Sequence, residues 1–158
     1  MICAWLTCIA LLSQEPMPQK KRTERTKACV NLARLAQSHS LDPLTVSVIA
    51  YRESRFSDES KSDKGAVGIL QVIPKYWCPN GKTKGCDLTR AGLKAWQTYR
   101  KKRSRREAFC RYSTGKKCKD TSAGRAYAKA LLKTRKQVTQ FLNTAVPWVF
   151  TLDCRHLK

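Results

Sequence analysis

The sequence predicts a single, mainly α-helical domain that is cross-linked by disulfides. Its 158 residues suffice for one hydrophobic core of ordinary size and are too few for two full domains. Apolar residues recur at helical spacing in several segments, and no segment has a convincing strand pattern. The chain also contains 8 cysteines, a frequency typical of small exported proteins held together by disulfides.

The N-terminal residues are first apolar and then strongly polar. Residues 2–12, ICAWLTCIALL, carry no charge, and we interpret residues 1–13 as a signal-like hydrophobic leader. The segment lacks a basic n-region and is shorter than the roughly 20 apolar residues of a membrane span. Residues 14–27 contain two prolines and many charges without apolar periodicity, which predicts a basic, solvated linker. A buried N-terminal helix is the alternative for residues 2–12.

The folded domain is predicted to span residues 28–145. Its first helix covers residues 28–40, ACVNLARLAQSHS. The second begins with Asp42 as N-cap and Pro43 at the first helical position, and the apolar run Leu44–Ala50 predicts that this helix is buried. Regularly spaced apolar residues among charges predict two later helices, over residues 88–112 and 123–142.

The cysteine spacing predicts two local disulfides. Once Cys3 and Cys8 are assigned to the leader, the others can pair in many ways. Cys78 with Cys86 and Cys110 with Cys118 each close a short loop rich in turn residues. Cys29 with Cys154 would then join the two ends of the domain, tying back a C-terminal tail over residues 146–158. Zinc is disfavoured because no Cys-x2-Cys pair occurs, and we expect neither a metal nor a cofactor.

The charge predicts anionic partners. The chain has 32 Lys and Arg against 11 Asp and Glu, a net charge of +21, so nucleic acid, anionic lipid and the acidic bacterial cell wall all qualify. The run RKKRSRR, residues 100–106, with Trp96 and Tyr99 before it could bind phosphates and stack on bases. Basic residues are nevertheless scattered over the whole chain, and exported disulfide proteins rarely meet nucleic acid, so nucleic acid is not expected as the main partner.

Glu53 is the candidate catalytic group. It follows an apolar helix, where loss of solvation raises the pKa of a carboxyl and lets it act as a general acid at a glycosidic bond. The glycines and Ala66 that follow, Gly68 among them, allow a ligand to approach the backbone closely. Neutral side chains suited to sugar hydroxyl and acetamido groups lie nearby, at Ser54, Ser62 and Gln71. The alternative is that Glu53 pairs with Arg52 or Arg55 at the helix end.

Four ordered motifs resemble the soluble lytic transglycosylase family. ESRF from Glu53, then Ser62, and then GAVGILQ with Pro74 are similar to the family's Glu-Ser pair and its Gly-Leu-Met-Gln type motif. Downstream, EAFCRYSTG resembles the Ala-Tyr-Asn-x-Gly segment, and GRAYAKALL resembles the closing tyrosine-containing helix. Together these motifs cover roughly residues 28–135. The resemblance implies a single lysozyme-like domain.

The resemblance also implies a role for each matching residue. Glu53 would be the sole catalytic acid and base. Ser62 would contact an N-acetyl group or its neighbouring sugar, and Gln71 would hold substrate in the cleft. Tyr112 would lie beside the substrate, and Tyr127 would hydrogen-bond and orient the Glu53 carboxyl. The sequence departs from the family pattern twice, with Leu70 in place of methionine and Ser113 in place of asparagine.

The implied substrate is the glycan strand of peptidoglycan. Such enzymes cleave the β-1,4 bond between N-acetylmuramic acid and N-acetylglucosamine without water and form a 1,6-anhydro product. The protein would be exported, to the periplasm and cell wall or on a virion, and a phage particle or a secretion or conjugation apparatus would be its setting.

Two other functions remain open. A hydrolytic muramidase similar to goose-type lysozyme would need a second carboxylate to direct water, and Asp58, Glu59 and Asp63 follow Glu53 closely, although solvated loop charges beside lysines are their simpler interpretation. A catalytically silent protein that docks on the cell wall is the other alternative, supported only by Ser113.

Overall fold

A computed structural model of the protein describes residues 2–13 and 15–145. In these ranges the chain forms seven α-helices, two short 3-10 helices and isolated β-bridges in place of strands. The helices are α1 Ile2–Leu12, α2 Gln19–Ser38, α3 Pro43–Ser54, α4 Pro74–Trp77, α5 Leu88–Arg100, α6 Arg105–Thr114 and α7 Ser122–Ala145. The mainly α fold class is therefore confirmed.

Helix α3 lies at the centre of the hydrophobic core. Every residue from Leu44 to Tyr51 is buried, because α1, α2 and α7 all pack against this helix. As predicted, Asp42 caps its first turn, accepting hydrogen bonds from Leu44 N at 3.1 Å and from Thr45 Oγ1. The Arg135 guanidinium of α7 binds the same carboxylate at 3.2 Å. The start of α3 is therefore fixed to α7.

The chain turns sharply where α3 ends. Arg55 and Phe56 both adopt the left-handed backbone conformation, with φ of 55° and 62°, which residues other than glycine adopt rarely. Arg55 is held by an ion pair with Glu15 and lies 4.3 Å above the centre of the Tyr51 ring, while the Phe56 side chain is buried. These contacts offset the strain of the turn and leave the last turn of α3, with Glu53, at the edge of the core.

Residues 2–12 are part of the packed domain, which differs from the leader interpretation. They form α1, which packs against α2, α3 and α7 and buries Cys8, Ala10, Leu11 and Leu12. Cys8 of α1 forms a disulfide with Cys29 of α2, with an S–S distance of 2.04 Å. The predicted pair of Cys29 with Cys154 is therefore wrong, because the Cys29 sulfur is already bonded. The alternative interpretation, a buried N-terminal helix, describes this segment.

The predicted linker over residues 14–27 is also largely structured. Residues 19–27 belong to α2, which follows Pro18. The turn before it is held by Arg22, whose guanidinium donates to the carbonyl oxygens of Leu12 at 2.7 Å and Glu15 at 3.1 Å. Apolar periodicity is missing here because most of these side chains face solvent, and the buried positions of α2 begin only at Cys29.

Helices α5 and α6 are separate, whereas the sequence predicts one helix over residues 88–112. The chain breaks between Arg100 and Arg105, where Lys102 takes a φ of 55°. Ser104 then caps α6, and its hydroxyl accepts a hydrogen bond from Glu107 N at 3.2 Å. Helix α6 packs against both α5 and α7, so the break lets the chain double back.

Both predicted local disulfides are confirmed. Cys78–Cys86 closes the loop after α4, and Cys110–Cys118 closes the loop between α6 and α7, each with an S–S distance of 2.03 Å. Within the part of the chain that the structure describes, no helix combines the length and the apolar character needed to cross a bilayer. The predicted C-terminal tail, residues 146–158 with Cys154, lies outside the described residues.

Candidate active site

Glu53 lines a cleft of about 900 Å³. Its walls come from the end of α3, the loop before α4, α4 itself, and parts of α5, α6 and α7. Of the site residues that the sequence predicts, this cleft brings together Glu53, Ser62, Gln71, Tyr112 and Tyr127. Residues that lie far apart in sequence therefore share one cavity.

Tyr127 holds the Glu53 carboxyl directly. The Tyr127 hydroxyl, on the second turn of α7, donates a hydrogen bond to Glu53 Oε1. The other carboxyl oxygen, Oε2, has no hydrogen-bond partner among the described residues and is left for a substrate. The alternative pairing of Glu53 with Arg55 is not formed, because Arg55 binds Glu15, and Arg52 acts on Glu53 through its charge without an ion pair among the described residues.

The surroundings of Glu53 raise its pKa. Burial is the main cause, because desolvation disfavours the carboxylate, while the Tyr127 hydrogen bond and the Arg52 charge lower the pKa by less. Burial also raises the pKa of Tyr127 well above the ordinary value of a phenol, so its hydroxyl stays a donor. A carboxyl that holds its proton at higher pH and is fixed through one oxygen has the properties of a general acid.

The loop between α3 and α4 presents Ser62 and Gln71 to the cleft. Gln71 has a left-handed φ of 47°, and its side-chain amide nitrogen donates to the carbonyls of Ser60 and Gly68, each at 2.9 Å. Its Oε1 is thereby turned away from these bonds and can accept from a ligand. Ser62 Oγ accepts from Ala66 N at 3.1 Å, which leaves the Ser62 hydroxyl proton to donate.

Ser54 and Gly68 do not line the cleft, so the structure does not support direct substrate contact by either. Ser54 is buried and its hydroxyl donates to the Ile69 carbonyl at 2.8 Å, which joins the end of α3 to the loop. Gly68 has a φ of +77°, and a Cβ there would lie 3.3 Å from Leu88. Both residues shape the loop that carries Gln71.

Tyr112 belongs to an aromatic cluster at the wall of the cleft. Its ring packs edge-to-face on Trp96 and Tyr99, with centroids 6.0 Å and 6.2 Å away. Its hydroxyl donates to the Leu70 carbonyl at 2.6 Å, so Tyr112 fixes the peptide next to Gln71. Ser113, where the family pattern has asparagine, also lines the cleft and donates to the Cys110 carbonyl at 3.1 Å.

The cleft contains residues that the sequence analysis did not identify. Tyr76 of α4 is 68% exposed although it lines the cavity, and Trp77 beside it packs edge-to-face on Tyr99 at 5.7 Å. Two lysines, Lys64 and Lys116, also line it. The only sequence signal for the aromatic pair is Pro74, which marks a helix start; the lysines lie in loops without a pattern.

Among the described residues, Glu53 is the only acidic side chain that lines this cleft. Asp58 and Glu59, two of the candidates for a second carboxylate, line a separate groove of about 530 Å³ against the start of α2. Asp63, the third candidate, is exposed and does not belong to the cleft wall. Among the described residues, the cleft therefore contains one carboxyl and no second carboxylate that could direct a water molecule.

The basic run over residues 100–106 is partly used inside the fold. The Arg103 guanidinium donates to the backbone carbonyls of Thr98 and Tyr99 at 3.2 Å and 3.3 Å, and Arg105 lies 3.7 Å from the Asp42 carboxylate. Trp96 is 2% exposed and stacks on Phe109, so it cannot stack on a base. These contacts weaken the nucleic-acid interpretation.

The comparisons with known proteins give one match. The family model of the transglycosylase SLT domain matches residues 31–134, more than half of the chain. Comparisons with curated proteins and with solved structures give no significant match. The matched range contains every described residue of the cleft wall, and within the described ranges no cluster of three or more His, Cys, Asp or Glu side chains could hold a metal ion.

Proposed function

Because this chain belongs to the transglycosylase SLT domain family, it acts on peptidoglycan, and we propose that it is a lytic transglycosylase that leaves a 1,6-anhydro product. The bond cleaved is the β-1,4 bond between N-acetylmuramic acid and N-acetylglucosamine. The observation that carries the proposal is Glu53, the only carboxyl in the cleft wall among the described residues, which is desolvated and held by Tyr127.

In the first step Glu53 acts as the acid. Its proton passes to the glycosidic oxygen, the bond from that oxygen to C1 of N-acetylmuramic acid breaks, and the N-acetylglucosamine end leaves as an alcohol. The acetamido oxygen of the same muramic acid stabilises the positive charge at C1. The raised pKa of Glu53 supports this role, because the carboxyl must be protonated when substrate binds.

In the second step the same carboxylate acts as the base. It accepts the proton of the C6 hydroxyl, O6 forms a bond to C1, and the 1,6-anhydro ring closes while Glu53 recovers its proton. The attacking hydroxyl is already tethered to the reacting ring, so proximity favours it over water. No water is consumed and no second carboxylate is needed, in keeping with a cleft wall where Glu53 is the only acidic group described.

The remaining cleft residues would bind the strand. The Gln71 Oε1 can accept from a sugar hydroxyl or an amide N–H, and the Ser62 hydroxyl can donate to an acetamido oxygen. Tyr76 offers an exposed aromatic face of the kind that packs on the apolar side of a sugar ring. Ser113 is shorter than the family's asparagine and makes a local hydrogen bond, so one substrate contact made by that asparagine is replaced or lost here.

The cell wall as substrate places the protein in an exported or periplasmic location. Three disulfides among the described residues fit an oxidising compartment. Association with a virion, or with a secretion or conjugation apparatus, remains a prediction about the setting in which the wall is opened.

The proposal is tested by mass spectrometry of the muropeptides that the oxidised full chain releases from purified sacculi. Products one water lighter than hydrolysed muropeptides are expected from the wild type and from Asp63→Asn, and none from Glu53→Gln, which keeps the shape of the side chain and removes its titratable proton. Hydrolysed products with reducing ends would instead indicate a muramidase, and loss of activity in Asp63→Asn would identify its second carboxylate. Turnover by folded Glu53→Gln would contradict the catalytic assignment.

A further inference from the structure

The wall of the Glu53 cleft has an unusual charge distribution. Apart from Glu53, the only charged side chains that line it among the described residues are Lys64 and Lys116. Lysine is common over the whole surface of this protein, so the presence of two lysines is not informative by itself. Their position in the cleft wall is. Low-dielectric cleft walls focus the field of the charges that line them, and this cleft therefore attracts anions.

Each lysine extends from a loop whose backbone is fixed. Lys64 lies in the turn closed by the hydrogen bonds between Ser62 and Ala66, with Ser62 N to Ala66 O at 2.9 Å. Lys116 follows Gly115, the left-handed cap of α6, and its backbone N–H donates to Thr114 Oγ1 at 3.2 Å. The Cys110–Cys118 disulfide closes that second loop. The two ammonium groups thus extend from defined points on the cleft wall.

Neither ammonium group has an ion-pair partner among the described residues, although most acidic groups nearby in sequence are exposed and available. The pKa of Glu53 is set mainly by burial, with smaller contributions from Tyr127 and Arg52. Unpaired cations in a cleft that accepts a glycan strand are suited to an anionic substituent of that strand.

We propose that Lys64 and Lys116 form a carboxylate-binding subsite that recognises the acidic substituent of the muramic acid residues. This inference rests on the proposed function, since it takes a peptidoglycan strand as the ligand. Two sources carry the same chemistry: the lactyl carboxylate of a strand without peptides, and the carboxylates of the stem peptides. The cleft would select acidic strands over neutral polymers of N-acetylglucosamine, for which the lysines have no partner.

Binding in the inactive Glu53→Gln background tests the subsite without relying on turnover. The ligands are soluble strands with stem peptides, strands from which an amidase has removed the peptides, and peptide-free strands whose carboxyls have been converted to amides. Adding Lys64→Ala and Lys116→Ala together is expected to weaken binding to at least one carboxylate-bearing strand by about fivefold and to leave binding to the amidated strand unchanged. Lys133→Ala and Lys136→Ala together, which remove two exposed lysines of α7 outside the cleft, control for the same change in net charge.

The strand type on which the effect appears identifies the source of the carboxylate. Equal binding of the Lys64/Lys116 variant and its parent to both acidic strands would overturn the proposal, as would an equal loss on the amidated strand or in the Lys133/Lys136 control variant. In the active protein, replacing Lys64 and Lys116 by alanine is expected to raise KM on the acidic strand, with little change in kcat and no shift of the pH profile. If the wild type releases no product while the binding difference holds, the proposed reaction fails and the subsite stands.

Discussion

The Tyr127 hydroxyl donates a hydrogen bond to Glu53 Oε1, across 74 residues of sequence. This bond joins the end of the central helix α3 to α7, the helix that closes the domain. It has two effects on the carboxyl: it fixes one oxygen, and it lowers the pKa that burial has raised. The two effects can be separated by experiment.

Tyr127→Phe is expected to lower kcat about 10- to 100-fold, because the freed carboxyl loses its alignment with the glycosidic oxygen. The variant also loses a hydrogen bond to the charged form, so the pKa of Glu53 rises further. Activity falls as pH rises through that pKa, and the alkaline limb of the kcat/KM profile should therefore move to higher pH. The measurement is the pH profile on soluble strands.

Tyr51→Phe provides the matched control. It removes a similar bond, from the Tyr51 hydroxyl to Glu15 Oε1 at 3.1 Å, away from the cleft. Its alkaline limb should coincide with that of the wild type. An unchanged limb in Tyr127→Phe would show that the hydrogen bond does not act on the Glu53 pKa.

Glu53→Gln should be more stable than the wild type at neutral and alkaline pH. A carboxyl whose pKa is raised by folding favours the unfolded state once pH exceeds its ordinary value, 4.5, and this cost reaches its limit above the raised pKa. The difference in unfolding free energy between variant and wild type should therefore be small at pH 4 and increase toward pH 8. Urea unfolding at several pH values measures it.

Glu107→Gln should change the free energy of unfolding in the opposite direction. Folding lowers the pKa of Glu107, chiefly through the hydrogen bond from Cys118 N at 3.1 Å and also through Arg111. Its stabilising contribution is present above the unfolded pKa and is lost as pH falls through the folded pKa. The variant should thus be less stable than the wild type at neutral pH and similar to it in acid. The same trend in both variants would rule out the assigned pKa directions.

Tyr76→Ala is expected to raise KM on glycan strands by about tenfold, as removal of an exposed aromatic anchor commonly does, and to leave the pH profile in place. Steady-state kinetics on soluble strands measures the change. Trp5→Ala removes another exposed aromatic side chain, at 53% exposure, from α1 outside the cleft, and should change neither constant. If the two variants behave alike, Tyr76 has no role in strand binding.

Removing the Cys8–Cys29 disulfide with a double alanine variant should lower the free energy of unfolding by about 3 kcal/mol, the loop-closure value for a cross-link over this length. The cleft should survive, because neither cysteine contributes to its wall. Chemical denaturation of the oxidised proteins gives the change, and turnover well below the melting temperature gives the control. A variant as stable as the wild type would indicate that α1 is not part of the stable fold.

Local signals predicted much of this structure, and contacts between distant segments account for what they missed. Asp42 and Pro43 marked the start of α3, and the short cysteine loops marked two disulfides, because each signal lies within a few residues of the structure it specifies. Cys8 could not be paired with Cys29 in the same way. The sequence of an uncharged apolar segment looks the same in an export signal and in a core helix. Only the packing of α1 against α2, α3 and α7 distinguishes the two.

The site was predictable to the extent that its residues match family motifs. Glu53 and Tyr127 were identified by resemblance, although no local rule would join them. Tyr76, Lys64 and Lys116 were missed because exposed loop residues and a four-residue helix carry no periodicity. The break before α6 was different: Ser104 and Glu107 have the spacing of a capping box, so a signal for it was present in the sequence.

Because of the disulfide between Cys110 and Cys118, the structure of the cleft depends on the redox state of the compartment that holds the protein. The loop it closes supplies Ser113, Gly115 and Lys116 to the cleft wall, and reducing compartments do not form such bonds. In a reducing compartment, this side of the cleft would lack its covalent cross-link. The complete cleft wall is therefore expected only in an oxidising compartment, so the bond that shapes the substrate site also makes its assembly depend on redox conditions.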